Sequence, residues 1–219
     1  QIQSRGLGDV YKRQSFLRFQ SREIVMTRTA LVFAVCTASV LAYADAPSTQ
    51  LKTVKARTLS LEVPESWENV ATTSEMRAAQ FKIPGEGNDS AELTVFYFGG
   101  PTGGVKANVQ RWIGQFDEKD RKVTMTQGKC DAGRFIIVDA VGTWNKPDGP
   151  PFARKTIATP GSHVVNVIVI EEKDGEVDYY FLKLSGKKGL VGQQVEALRN
   201  AIGVAEDSEK PFELKDAEN

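Results

Sequence analysis

Glu92-Leu93-Thr94-Val95-Phe96-Tyr97-Phe98 decides the fold. From Leu93 onward this strand is apolar on both faces, and such a strand needs cover on both sides of its sheet. The period then changes. Beyond the loop Gly99–Gly104, the residues Val105, Val109, Trp112, Ile113 and Phe116 recur at i, i+4, i+7, i+8 and i+11, which puts all five on one face of a helix. A doubly apolar strand feeding an amphipathic helix predicts a sheet with helical cover.

The rest of the chain extends this pattern. Arg57–Val63 alternates Leu59, Leu61 and Val63 against polar residues, and Pro64-Glu65-Ser66-Trp67 closes it. Ala78–Ile83 is a second strand, followed by the turn cluster Pro84–Asn88. Val123–Thr126 and Arg134–Thr143 read as strands, the latter apolar on both faces over Phe135–Val141 except at Asp139. Asn145–Pro151 reads as a stiff polar loop. Phe152–Thr159 and His163–Ile170 read as two strands divided by Pro160-Gly161. Glu171–Glu176 is a charged hairpin tip carrying Asp174-Gly175, and Val177–Leu184 returns from it. Leu190–Ile202 is a second helix, with Val191, Val195, Leu198 and Ile202 on one face. Connections of hairpin length make the sheet mostly antiparallel, so the expected class is α+β: a mostly antiparallel central sheet with two packing helices.

The flanks concern address rather than fold. Met26–Arg28 gives a positive head, Ala30–Leu41 is a 12-residue run without charge, and Ala42-Tyr43-Ala44 is a small-x-small site before Asp45. That is the layout of a signal peptide over 26–44, and the run is short of the roughly 20 residues a membrane span needs. Ser4–Gln14 resembles the in-frame translation of a transposon-type sequencing adapter, so 1–25 is expected to be non-native or upstream translation. The remaining expectations are a linker over 45–56, one globular domain over 57–204 and an acidic, disordered tail over 205–219. The expected location is periplasmic or secreted, with no stable membrane insertion after cleavage. Of 28 basic and 28 acidic residues, six and two precede Asp45, leaving 22 against 26 in the domain and tail. That mild acidity argues against nucleic acid as a partner. Cys130 is the one cysteine after Ala44, so no internal disulfide is available.

The run Val63-Pro64-Glu65-Ser66-Trp67, together with the Tyr179–Gly186 strand and a closing helix ending near Ile202, resembles PsbP-like and DcrB-like extracytoplasmic domains over about 57–204. The resemblance implies an α/β/α sandwich around an antiparallel sheet. Phe96-Tyr97-Phe98-Gly99, leading through a glycine loop to Asn108 and Arg111-Trp112, resembles an uncharacterised family of exported bacterial proteins. Neither resemblance brings a catalytic motif.

No residue is assigned as catalytic or metal-binding, and no cofactor is expected. His163 is the only histidine, and its neighbour Ser162 points to the opposite face of a strand. No GxSxG or HExxH occurs, and one His with one Cys cannot supply three zinc ligands. The loop before the first helix is the best candidate, because a helix N-terminus attracts anions. The ligand-binding candidates are Gly99, Gly100, Thr102, Gly103, Gly104, Asn108 and Arg111. Lys187 and Lys188 precede the second helix in a similar loop, Ser185–Gly189. Trp144 with Pro150 and Pro151 forms a loop suited to protein contact, and the acidic tip Glu171–Asp178 lacks calcium-loop spacing. The expected function is an exported, non-enzymatic accessory or binding protein with a protein or small-molecule partner in the cell envelope. Two alternatives stay open: an enzyme with a site near Asp139, Arg111 and the Gly99–Gly104 loop, and an envelope subunit tethered by an uncleaved Met26–Ala44.

Overall fold

The computed structural model describes residues 50–72, 74–99, 103–149, 155–173 and 175–216, all within the unit Asp45–Asn219. The expected signal peptide, its cleavage site and the upstream segment lie outside the described residues.

In chain order, β1 (Leu51–Ala56), β2 (Leu59–Pro64), β3 (Glu68–Asn69), β4 (Arg77–Pro84) and β5 (Ser90–Tyr97) lead to α1 (Val105–Ile113). Then come β6 (Lys122–Cys130), β7 (Gly133–Pro147), β8 (Thr156–Lys173), β9 (Glu176–Lys187), α2 (Lys188–Ala201) and β10 (Lys210–Pro211). Among the described residues the strands form a β1–β2 hairpin and an eight-stranded sheet ordered β10-β6-β7-β8-β9-β5-β4-β3. Every pairing in that sheet is antiparallel.

Both faces are covered, as the doubly apolar strands require. Leu93, Val95, Phe135, Ile137, Val165, Val167, Leu182 and Leu184 bury against the β1–β2 hairpin and α2, through Leu59, Leu61, Val63, Val191 and Leu198. Side chains alternate along a strand, so Ile136, Val138, Ile168, Ile170 and Phe181 face the other way. They meet Val105, Val109 and Trp112 of α1, and Phe212 beyond β10. The class is α+β, a sandwich with an antiparallel centre. The Pro64–Trp67 turn closes as its sequence suggests: the Trp67 amide donates to the Pro64 carbonyl at 3.0 Å. The fully buried indole donates to Gln194 Oε1 of α2 at 3.0 Å.

Several boundaries differ from the sequence reading. Leu51–Ala56, expected as linker, is β1; its inward positions are Lys52, Val54 and Ala56, and the lysine, whose Nζ donates to the Glu65 and Trp67 carbonyls, breaks the apolar alternation. The tail is docked in part: the Phe212 amide donates to the Met125 carbonyl at 3.0 Å, Phe212 is 3% exposed, and Glu209 is paired with Arg199 of α2. The buried Phe212 ring, the β10–β6 pairing and the Arg199–Glu209 pair hold it together. Asn145–Pro147 is strand rather than loop, and the two strands expected around Pro160-Gly161 are one, β8. Gly142 pairs Ser162 and Trp144 pairs Thr159, so Pro160 and Gly161 together face Thr143. This is a bulge, where proline's missing N–H is tolerated and Gly161 takes φ +68°. Phe116 leaves the helical stripe because α1 stops at Gly114, and it packs instead with Ala140, Trp144 and Val164. Finally, β9 runs into α2 without the expected Ser185–Gly189 loop.

Candidate functional site

The sheet face that carries α1 changes character along its length. One register row places Ile168, Phe181 and Phe96 side by side, with α1 above them. The next row is Asn166, Lys183 and Thr94, and the one after is Val164, Ser185 and Glu92. A cleft of about 230 Å³ sits at this step from apolar to polar. Phe96, Phe98, Trp112 and Phe181 form its aromatic wall, and Arg111, Gln115, Asn166 and Lys183 are its polar lining. A second recess of about 460 Å³ shares Lys183 and continues past Trp144, Lys146, Ser162, Ser185 and Lys187 to Glu92.

Asn166 is 3% exposed, and its side-chain amide makes no hydrogen bond to the described residues, so its open valences face the cleft. Among the described residues the one fully buried side-chain nitrogen or oxygen without a partner is His163 Nδ1, on the other face of the sheet. The Lys183 ammonium has no acid within 4.0 Å among the described residues. It lies 4.2 Å from the centre of the Trp144 ring, a cation–π contact. Glu92 is already engaged by Gln80 at 3.0 Å and Thr94 at 2.9 Å. Desolvation, reinforced by Lys146, Arg111 and Arg77 and only partly opposed by Glu92, brings the Lys183 pKa down to about 8. The Trp144 indole is held by Gln115 at 3.3 Å.

Of the sequence candidates, Arg111 is in the cleft. Asn108 lies one turn away and orients it: Asn108 Nδ2 donates to the Gly104 carbonyl at 2.9 Å, and its Oδ1 accepts from Arg111 at 2.7 Å. Loss of water around the guanidinium lowers the Arg111 pKa. Gly99, Gly103 and Gly104 do not line the cleft. Their positive φ angles turn the chain into α1, a backbone role. Gly100 and Thr102 lie outside the described residues.

Asp139 does not join Arg111. It alternates with Val138 and Ala140 and so lies on the α2 side of the sheet, bonded to His163 at 2.7 Å. An enzyme site built on Asp139, Arg111 and the glycine loop is therefore divided by the sheet. His163 and Ser162 point to opposite faces as expected, with Ser162 in the second recess. Trp144 is 4% exposed and packs inward rather than offering a contact surface; Pro150 and Pro151 lie outside the described residues. At the acidic tip, Glu171 accepts from Thr58, Glu172 pairs with Arg134 and Asp178 accepts from Tyr97, while Asp174 lies outside the described residues. Burial raises the Cys130 thiol pKa, which fits a half-buried strand residue and not a reactive one. Among the described residues no cluster of three or more His, Cys, Asp or Glu is placed to hold a metal, and no helix is long and apolar enough to cross a membrane.

No family model matches the chain, and no curated protein matches it. Among solved structures it is similar to the solution structure of cyanobacterial PsbP (CyanoP) from Synechocystis sp. PCC 6803. That match has a TM-score of 0.41 and 10% identity, and it covers 75% of this chain and 94% of that one. At this distance it says nothing of ligand or partner.

Lys183 and Asn166 were not among the sequence candidates, although each has a signal. Each interrupts an apolar run, YYFLKL at Lys183 and VVNVIVI at Asn166. The same signal singled out Asp139, and only pairing register separates a structural instance from one that faces a cleft.

Proposed function

We propose that this protein is an exported, non-enzymatic binding protein whose cleft beneath α1 takes a small ligand with an anionic group and a flat apolar body. The observation that carries the reading is Asn166, lining the cleft next to the desolvated Lys183 with an amide that no described residue engages. An anion would meet Lys183 and Arg111 with Asn166 as a donor, while Phe96, Trp112 and Phe181 would stack on its apolar part. The address rests on the layout of Met26–Ala44, and intact-mass measurement of exported protein should find Asp45 at the N-terminus.

The test is thermal shift with benzoate and other aromatic carboxylates and sulfonates. A ligand at 100 times its Kd stabilises by about 2.7 kcal/mol, which for a domain of this size raises Tm by roughly 5–11 °C. Asn166→Leu should abolish the rise. If no aromatic anion moves Tm, or if Asn166→Leu responds like wild type, this reading fails.

A further inference from the structure

We propose that Lys183 captures carbonyl compounds: its amine condenses with the aldehyde or 2-oxo group of a small anionic ligand to form a reversible imine in the cleft. The inference rests on the anion-binding reading and names the ligand class more narrowly.

Imine formation asks for an uncharged amine, a carbonyl held against it and a donor for the oxygen that leaves. Lys183 has no hydrogen-bonded or ion-paired acid among the described residues, and the nearest carboxylate in its register neighbourhood, Glu92, is committed to Gln80 and Thr94. Loss of water around the amine, with the cationic neighbours Lys146, Arg111 and Arg77, opposes its protonation, while the Trp144 ring at 4.2 Å holds the side chain in place. With a pKa of about 8, about a tenth of Lys183 is uncharged at pH 7, against less than about a thousandth for an ordinary lysine. Asn166, paired with Lys183 across the β8–β9 ladder, carries the unpartnered amide that can hydrogen-bond the carbonyl oxygen. Arg111, steadied by Asn108, supplies a guanidinium for a carboxylate. A 2-oxo acid or an aromatic aldehyde acid presents both groups.

The step balances without redox change. The amine nitrogen attacks the carbonyl carbon, and the C=O π pair becomes a hydroxyl. The C–O bond then breaks, and water leaves with the two protons that the amine gives up. The reverse reaction takes up one water.

The experiment treats the purified protein with benzoylformate and cyanoborohydride, which reduces an imine to a stable secondary amine, and maps the modified lysines by peptide mass. Lys183 should be labelled at least tenfold faster than Lys146, Lys187 and Lys188. Its rate should rise with pH through a midpoint near 8, and benzoate should slow it. Lys183→Arg should remove that label, and its circular-dichroism spectrum should match wild type, which shows the fold intact. Labelling of Lys183 no faster than the other three lysines overturns the imine proposal, even where benzoate still raises Tm and the anion reading stands. Fast Lys183 labelling that benzoate does not slow, with no benzoate thermal shift, supports carbonyl capture and overturns the anion reading.

Discussion

Lys183→Met should make the protein more stable at neutral pH, by an amount that pH removes. The fall in the Lys183 pKa from 10.5 to about 8 corresponds to about 3 kcal/mol by which folding disfavours the ammonium. By linkage that shift is the whole difference between the charged and neutral forms, the Trp144 ring at 4.2 Å included, so the cost at pH 7 is about 3 kcal/mol. Methionine has a similar unbranched shape and no charge to desolvate. At pH 7 the variant should melt about 6–12 °C above wild type. The sign of the pH effect follows from linkage. Between pH 8 and 10.5 the unfolded wild type still holds the proton that the folded form has released. Wild-type stability therefore rises relative to the variant across that window. Calorimetry or circular-dichroism melts of both proteins at matched pH read the difference, and titrations shared by the two cancel. The gap should be full below pH 8 and closed by about pH 10.5. A variant less stable than wild type at pH 7, or a gap constant with pH, would refute the desolvated-amine argument and with it the chemistry assigned to Lys183.

Three further outcomes are expected. Gly203 caps α2 at φ +64°, with its amide donating to the Asn200 carbonyl and the Val204 amide to Arg199, the hydrogen bonds of a Schellman motif. Gly203→Ala should lower stability in urea by about 1–2 kcal/mol for the left-handed backbone alone, with more if Asp131, which the new Cβ meets, cannot move; an unchanged midpoint would remove the capping role. Phe212→Ala should cost about 3 kcal/mol in the same assay, since the ring is 3% exposed and packs against the α1-side core; a loss under 1 kcal/mol would return the segment to the status of a loose tail. Cys130, its pKa raised by burial, should react with a disulfide reagent at pH 8 at least about tenfold more slowly in the folded protein than in urea, and equal rates would contradict its burial.

Periodicity made the class legible. The doubly apolar ELTVFYF and FIIVDAV runs demanded cover on both faces, and the two amphipathic stripes supplied part of it. Boundaries failed where a local signal competes with tertiary pairing. Pro160-Gly161 reads as a turn, because proline and glycine usually make one, but the long β7–β8 ribbon absorbs them as a bulge. Glu209 and Phe212 read as tail, because a single buried ring in an acidic segment has no period to announce it. At the site, the helix that bears Arg111 was legible, and the pairing of Asn108 with Arg111 follows from their one-turn spacing. The glycine loop drew attention because helix N-termini bind anions in general, but its described glycines shape the backbone and stand outside the cleft.

By itself, the sequence determined the two-sided burial of the sheet and its helical cover, and it marked Asp139 as an unusual polar residue in an apolar strand. Only the tertiary structure decided that Asn166 and Lys183 share a face and that Asp139 lies on the other. Alternation gives each residue a side of its own strand, but no local pattern says which strands adjoin or which face receives α1. The order β7-β8-β9-β5 puts Asn166 and Lys183 in one row beside Arg111 and leaves Asp139 on the far side with His163.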